Sequence, residues 1–300
     1  MTIFERPPAS PLIKLRGNIC AKLELFNPGG SHKSRSARFV VQRAIERGDL
    51  TPGGPRRILE KSGGNFGVGL ALEARRFGIS VDLVIGLNFS PVKRALCAEF
   101  GANLVGLDML RAGLQPKEVI TKFLADAPEQ YFFTDQFSNP ANFQAHLSET
   151  GPELVEQLRA DSAAYRQIIL VVAAGTGASA SGIGQCLKAS FPSVSVVLNE
   201  PERCSFQQGV FGDHVQKGSA VGVAPPFLDL GLIDAIVNVS DNQAKAGQRN
   251  FARDSGIYPG PSSGGNYFIA QEIARRQPDC LVATMIYDSG EGYIDVAQAA

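Results

Sequence analysis

The chain is 300 residues long and 44% hydrophobic, enough to bury a sizeable core in one large or two medium domains. Its 29 basic and 29 acidic residues cancel, which leaves no net field to attract nucleic acid or an acidic membrane surface. No apolar run approaches the roughly 20 residues of a membrane helix, and MTIFERPPAS lacks the apolar stretch of a signal peptide, so a cytoplasmic protein is expected.

Along the chain, AKLELF (21–26) alternates like a strand, and NPGGSHKSR (27–35) turns through two glycines into a helical pattern at Ala37, Val40, Val41, Ala44 and Ile45. The glycines allow close backbone approach and Ser31 can cap the helix, so Lys33 sits where oriented N–H groups favour an anionic ligand. That geometry suits a Schiff-base lysine on an aldehyde cofactor. Read alone, the segment also fits an ordinary solvated lysine in a first helical turn.

A second segment of this kind follows. Ile58 and Leu59 lead into Ser62, Gly63, Gly64 and Asn65, then Val68, Ala71 and Leu72 recur at helical spacing. Candidate strands in this region are ILE, VDLVIG and ANLVGL, with helices predicted over Asn65 to Phe77 and Pro91 to Phe100. Further on, QIILVVAA, VSVVLNE, AIVNVS and LVATMIY form a second group of strands. Strands alternating with helices almost throughout predict an α/β architecture with parallel sheets.

The third glycine-rich segment begins after the apolar run Ile168 to Ala174, which reads as a buried parallel strand. Between Gly175 and Gly182, backbone N–H groups and the hydroxyls of Thr176, Ser179 and Ser181 can all donate to a phosphate. The same loop also fits a dinucleotide fingerprint at Gly175, Gly177 and Ala180, with Glu200 at the end of the next strand as a ribose contact. A nucleotide-dependent oxidoreductase is therefore carried as the alternative from a different class.

In this order, the lysine loop NPGGSHKSR, the asparagine loop SGGNFGVGLA, QFSNPAN (136–142) with TGPEL (150–154), the glycine loop GTGASASG and GPSSGG (260–265) resemble the cysteine synthase and cystathionine β-synthase family of fold-type II pyridoxal-phosphate enzymes. The resemblance implies two open, twisted, mainly parallel sheets flanked by helices, as in the β subunit of tryptophan synthase. It also implies a smaller mobile domain over 36–142 and a larger cofactor-binding domain of 1–35 plus 143–300. Lys33 would bind pyridoxal 5'-phosphate as an imine and act as general base, and Asn65 would hold the ring oxygen. Gly175, Thr176, Gly177, Ala178 and Ser179 would hold the phosphate, with Ser262 at the pyridine nitrogen. Ser62, Gly63, Gly64, Asn65 and Gln136 would grip the substrate carboxylate. The implied reaction is β-replacement on an activated L-serine derivative of the O-acetylserine or O-phosphoserine type, through an aminoacrylate. β-Elimination, or replacement by a nucleophile other than sulfide, stands beside it. A homodimer is implied as well.

The departures from the family pattern bear on substrate. Where the family reads Thr-Ser-Gly-Asn-Thr, this chain has Ser62, Gly63, Gly64, Asn65 and Phe66, preceded by Lys61, so two hydroxyls are missing and a cation is added. The family's glycine-rich entrance loop becomes Gly222 to Phe227 with two prolines, which is stiffer. Lys61 either contacts an anionic substrate or lies solvated. The five cysteines are odd in number and contain no Cys-x-x-Cys pair, so reduced thiols are expected. His32, His146 and His214 show no metal-ligand spacing, and no metal is expected.

Overall fold

A computed structural model describes residues 7–87 and 89–294. The chain opens with β1 (Leu12–Lys14) and β2 (Ile19–Leu23), then runs α1 (Lys33–Glu46), β3 (Arg57–Glu60), α2 (Asn65–Arg76), β4 (Val81–Leu83), α3 (Pro91–Glu99), β5 (Asn103–Leu104), α4 (Leu107–Arg111), α5 (Pro116–Asp126) and β6 (Tyr131–Phe133). After α6 (Pro140–Ala145) come a π-helical turn (His146–Thr150), α7 (Gly151–Ser162), β7 (Gln167–Ala173), α8 (Ala178–Ser190) and β8 (Val194–Pro201). A short hairpin of β9 (Cys204–Ser205) and β10 (Val210–Phe211) precedes β11 (Ala235–Val239), α9 (Asp241–Ser255), α10 (Pro261–Arg276) and β12 (Cys280–Ile286). Among the described residues, no helix is long and apolar enough to cross a membrane.

These elements form two units, Asn27–Asn142 and Met1–Phe26 with Phe143–Ala300. The first holds a four-stranded parallel sheet in the order β5-β4-β3-β6. Ile58, Val81 and Leu83 face one apolar cluster with α1 and α2, while Leu59 and Tyr131 face another with Val119 and Ile120 of α5. The resemblance implies an N-terminal division at about Arg35; the compact units divide at Phe26, because α1 packs along α2: Val40, Val41 and Ala44 share a core with Val68, Ala71 and Ala74.

The second unit holds a six-stranded sheet, β1-β2-β12-β7-β8-β11, parallel except for β1. Successive side chains of a strand point to opposite faces, and here both faces are covered. Ile168, Leu170 and Val172 of β7 join Leu154, Ile183 and Leu187, while Ile169 and Val171 join Phe251, Tyr267 and Ile269. That is why the run reads as continuously apolar.

Three predicted strands are shorter or displaced, and of VDLVIG only Val81–Leu83 pairs. Instead of 21–26, β2 spans Ile19–Leu23 and passes into a 3-10 turn, Glu24–Phe26, because β12 ends at Ile286 opposite Leu23 and offers no further ladder partner. ANLVGL yields only Asn103–Leu104, since Gly106, at φ +71°, turns the chain into α4.

Candidate functional site

In the unit 27–142, Gly29 and Gly30 both take left-handed φ, +77° and +76°, and Gly30 N–H donates to Asn27 O at 2.8 Å. This turn delivers the chain to α1 with Lys33 as its first helical residue. The expected cap is displaced by one position: His32 precedes the helix, yet Ser31 Oγ still accepts the Lys33 N–H at 3.3 Å. Enclosure by protein removes hydration from the Lys33 ammonium and pushes its pKa down to about 8, so a neutral amine is accessible near neutrality.

The asparagine loop sits beside this turn because Gly69 lets α2 approach α1. A Cβ on Gly69 would lie 3.0 Å from Ala37 Cβ and 3.3 Å from Lys33 O. Within the loop, a Cβ at Gly63 would fall 2.2 Å from Ile85 Cγ2, and one at Gly67 would fall 2.1 Å from Ser62 O, so the main chain is held tight on both sides. Asn65 is the first residue of α2, and Lys93 of α3 donates to its Oδ1 at 2.5 Å. An ammonium has no acceptor, so this contact fixes the carboxamide with its NH₂ directed elsewhere. Phe66, 2% exposed, belongs to the core. Lys61 Nζ lies 5.8 Å from the ring centre of Phe137. Gln136 is buried, and its carbonyl accepts from Asn142 Nδ2 at 2.8 Å. It follows Asp135, whose φ of +38° is unusual for a residue with a Cβ.

In the other unit, the glycine loop leaves β7 and enters α8. A Cβ at Gly175 would lie 2.3 Å from Gly218 O, and Gly177, at φ +84°, has Leu228 N 2.3 Å from the position of a Cβ. Phe227 N–H donates to Thr176 O at 3.0 Å, so the Pro-rich stretch ending at Phe227 covers this loop. Ser181 Oγ accepts the Asp229 N–H at 2.8 Å. Tyr287 fastens the loop to α10: its hydroxyl accepts Ala173 N–H at 2.9 Å and donates to Ala173 O at 3.2 Å, while its own N–H donates to Ser263 Oγ at 2.9 Å. Burial pushes the Tyr287 phenol up to about 12, which keeps it a neutral donor. Ser263 is thus engaged with the main chain, whereas the Ser262 hydroxyl makes no hydrogen bond among the described residues.

The structure therefore gathers Lys33, Ser62, Gly63, Gly64, Asn65 and Gln136 in one unit, and Gly175, Thr176, Gly177, Ala178, Ser179 and Ser262 in the other. Sequence reasoning missed Glu60, Lys93 and Tyr287, which reach these loops only through the fold. The five cysteines are free thiols, four buried and Cys186 half-buried, and among the described residues no His, Cys, Asp and Glu cluster could hold a metal ion. Glu200, the ribose contact of the dinucleotide alternative, is buried and already accepts Phe206 N–H at 2.5 Å and Asn238 Nδ2 at 3.0 Å.

Residues 4–285 match the family described as pyridoxal-phosphate dependent enzyme. A probable cysteine synthase of Bacillus subtilis (strain 168) is 33% identical over 300 residues, covering 95% of this chain and 93% of the relative. Among solved structures, O-ureido-L-serine synthase superposes with a TM-score of 0.85 at 32% identity, covering 96% of this chain and 91% of that one. O-Acetyl serine sulfhydrylase isoform 3 from Entamoeba histolytica does so at 0.83 and 28%, covering 98% and 92%. Two mainly parallel sheets bearing these loops are the architecture of a fold-type II enzyme. The chain belongs to the pyridoxal-phosphate-dependent enzymes, within the cysteine synthase and cystathionine β-synthase family, and pyridoxal 5'-phosphate is its cofactor.

The residues present suit that group. The loop 175–179 offers N–H groups and two hydroxyls at the start of a 13-residue helix, with glycines where a Cβ would collide. A Lys33 amine whose pKa desolvation lowers to about 8 suits an aldehyde.

Proposed function

We propose that the chain catalyses β-replacement on an L-serine derivative with an activated β-oxygen. The observation that carries this reading is Lys33 as the first residue of α1, on a helix that Gly69 lets pack against the helix Asn65 opens, with desolvation lowering the amine's pKa to about 8. Lys33 would hold the cofactor covalently, the N–H groups and hydroxyls of Gly175 to Ser179 would bind its phosphate, the Asn65 NH₂ would donate to its ring oxygen, and Ser262 would face its pyridine nitrogen. When bound, pyridoxal phosphate draws electrons from the α-carbon of an attached amino acid, which eases loss of the α-proton and of a β-substituent.

This chain's residues supply the rest. Ser62, the N–H groups of Gly63, Gly64 and Asn65, and Gln136 bind and orient the substrate carboxylate. The Lys33 amine, once released, takes the proton from Cα, for which a pKa near 8 suits a base working near neutrality. A serine hydroxyl at the ring nitrogen is neutral and does not enforce a ring charge, which favours elimination of the β-group over a long-lived carbanion. The reading also carries a homodimer, the assembly implied by the resemblance.

The name of one relative, O-ureido-L-serine synthase, describes a product with oxygen at the β-carbon, and this favours a second reading in which the incoming nucleophile is not sulfide. Lys61 next to the asparagine loop favours an anionic donor such as O-phosphoserine. Borohydride reduction should leave a pyridoxyl group on Lys33; a reduced protein without that adduct defeats the assignment. O-acetylserine and O-phosphoserine are then titrated into wild type and Lys61→Ala while the cofactor's visible band is followed. A wild type that prefers O-phosphoserine, with the preference lost in the variant, is expected; equal preference in both reduces Lys61 to a surface cation.

A further inference from the structure

Glu60 is 1% exposed and takes no part in the site as read from sequence, yet it stands where two parts of that site meet. It is the last residue of β3, immediately before the asparagine loop. Its Oε1 accepts the Lys61 N–H at 2.9 Å, and its Oε2 accepts the Thr134 hydroxyl at 2.5 Å and the Gln136 N–H at 3.4 Å. One carboxyl thus joins the entry of the asparagine loop to residues on both sides of Asp135.

That turn needs external support. Asp135 holds φ +38°, a conformation that costs on the order of 1 kcal/mol or more for a residue with a Cβ. Among the described residues its own side chain accepts from Ser138 Oγ, at 2.5 Å, on the far side of the turn, and from no other group. Thr134 and Gln136 are both buried, so a donor that lost Glu60 would lose its partner without gaining water.

We propose that Glu60 is a positioning residue for substrate recognition, its carboxyl setting the separation between Ser62–Asn65 and Gln136 so that both can bind one substrate carboxylate. The inference rests on the reading that these two segments grip the carboxylate, and the variants distinguish the two claims. Gln136→Ala tests the grip. Thr134→Val removes one donor to Glu60 with almost unchanged shape, Thr134→Ser restores a hydroxyl, and Glu60→Gln sets an NH₂ against the backbone N–H of Lys61 or of Gln136, neither of which can accept.

The measurements use the cofactor-loaded enzyme: the dissociation constants of L-serine, O-acetylserine and O-phosphoserine from the cofactor's absorption, cofactor retention, turnover at saturation, and amide exchange over residues 134–142. Thr134→Val and Glu60→Gln should weaken amino-acid binding roughly tenfold and speed exchange at Gln136, with cofactor retained, saturated turnover largely kept, and Thr134→Ser close to wild type. If Gln136→Ala weakens binding but Thr134→Val and Glu60→Gln do not, Glu60 does not position the grip. Unchanged exchange at Gln136 in both variants overturns the proposal on its own. A Gln136→Ala enzyme that binds amino acids normally overturns the carboxylate reading itself, and the inference with it.

Discussion

On the proposed reading Lys33 carries the charge-dependent part of the chemistry, and its surroundings set when it can act. Burial disfavours the ammonium, so its pKa falls from 10.5 to about 8, and below that pH the amine is protonated and cannot attack an aldehyde. Re-addition of pyridoxal phosphate to cofactor-free enzyme should therefore give an imine-formation rate that rises with pH and levels off above about 8; a rise continuing to pH 10 would place the lysine in ordinary solvent. Asn65 depends on a second cation. Lys93 donates to its Oδ1, which opposes exchange of one carboxamide orientation for the other. Lys93→Met should weaken cofactor retention by roughly threefold to tenfold and shift the pH dependence of the visible band, while Lys93→Arg keeps both, since a charge-assisted hydrogen bond is typically worth about 1.5–3 kcal/mol and only its orienting effect is lost. An unaltered spectrum in Lys93→Met would mean that the amide is held by other contacts.

At the scale of elements, β3 ends in a titratable group that the sheet has buried. Desolvation raises the Glu60 pKa from 4.5 to about 7, its hydrogen bonds from Thr134, Lys61 and Gln136 oppose that rise, and Asp135 adds a smaller push upward. The folded state then binds the proton more tightly than the unfolded chain, so this carboxyl contributes stability that is fully present below pH 4.5 and lost as pH rises through 7. Between pH 5 and pH 8 the urea midpoint of Glu60→Gln should fall less than that of wild type, by an amount equivalent to at most about 3 kcal/mol; parallel curves would show that Glu60 titrates elsewhere. The strand–turn–helix framework around this residue was legible in the sequence, because turn glycines, apolar runs and helical spacing are local signals. β7, β8, β12 and the starts of α2 and α3 fall where the pattern puts them. The end of β2 was not, since it depends on where a strand more than two hundred residues away stops. The contacts of Glu60, Lys93 and Tyr287 were hidden for the same reason: they join residues 74, 28 and 114 apart in sequence.

In the whole molecule, the unit that carries the glycine loop is assembled from both ends of the chain. Lys22, in mid-strand and with a side chain 0% exposed, pairs with Glu153 of α7 and donates to Gln157 Oε1 at 2.7 Å and Ser10 O at 2.6 Å, so one ammonium ties the N-terminal strand to a helix from the later part of the chain. Lys22→Met should cost about 3–5 kcal/mol in urea unfolding, because Glu153 would remain buried without its counter-charge while keeping its bonds from Ser10; a loss below about 1 kcal/mol would show that the site relaxes around the change. The position of β2 also sets a problem of timing during synthesis. Asn27–Asn142 is one continuous segment that a ribosome releases whole, but β2 must wait for β12, completed at Ile286. At ~5–20 residues per second that wait lasts on the order of ten to fifty seconds. Throughout it, a strand bearing Ile19, Ala21 and Leu23 has no β12 ladder. A charge within it, at Lys22, is the kind of gatekeeper that discourages pairing with a stray edge. The nascent chain thus carries its own guard against mispairing, in the same lysine that later closes the finished fold.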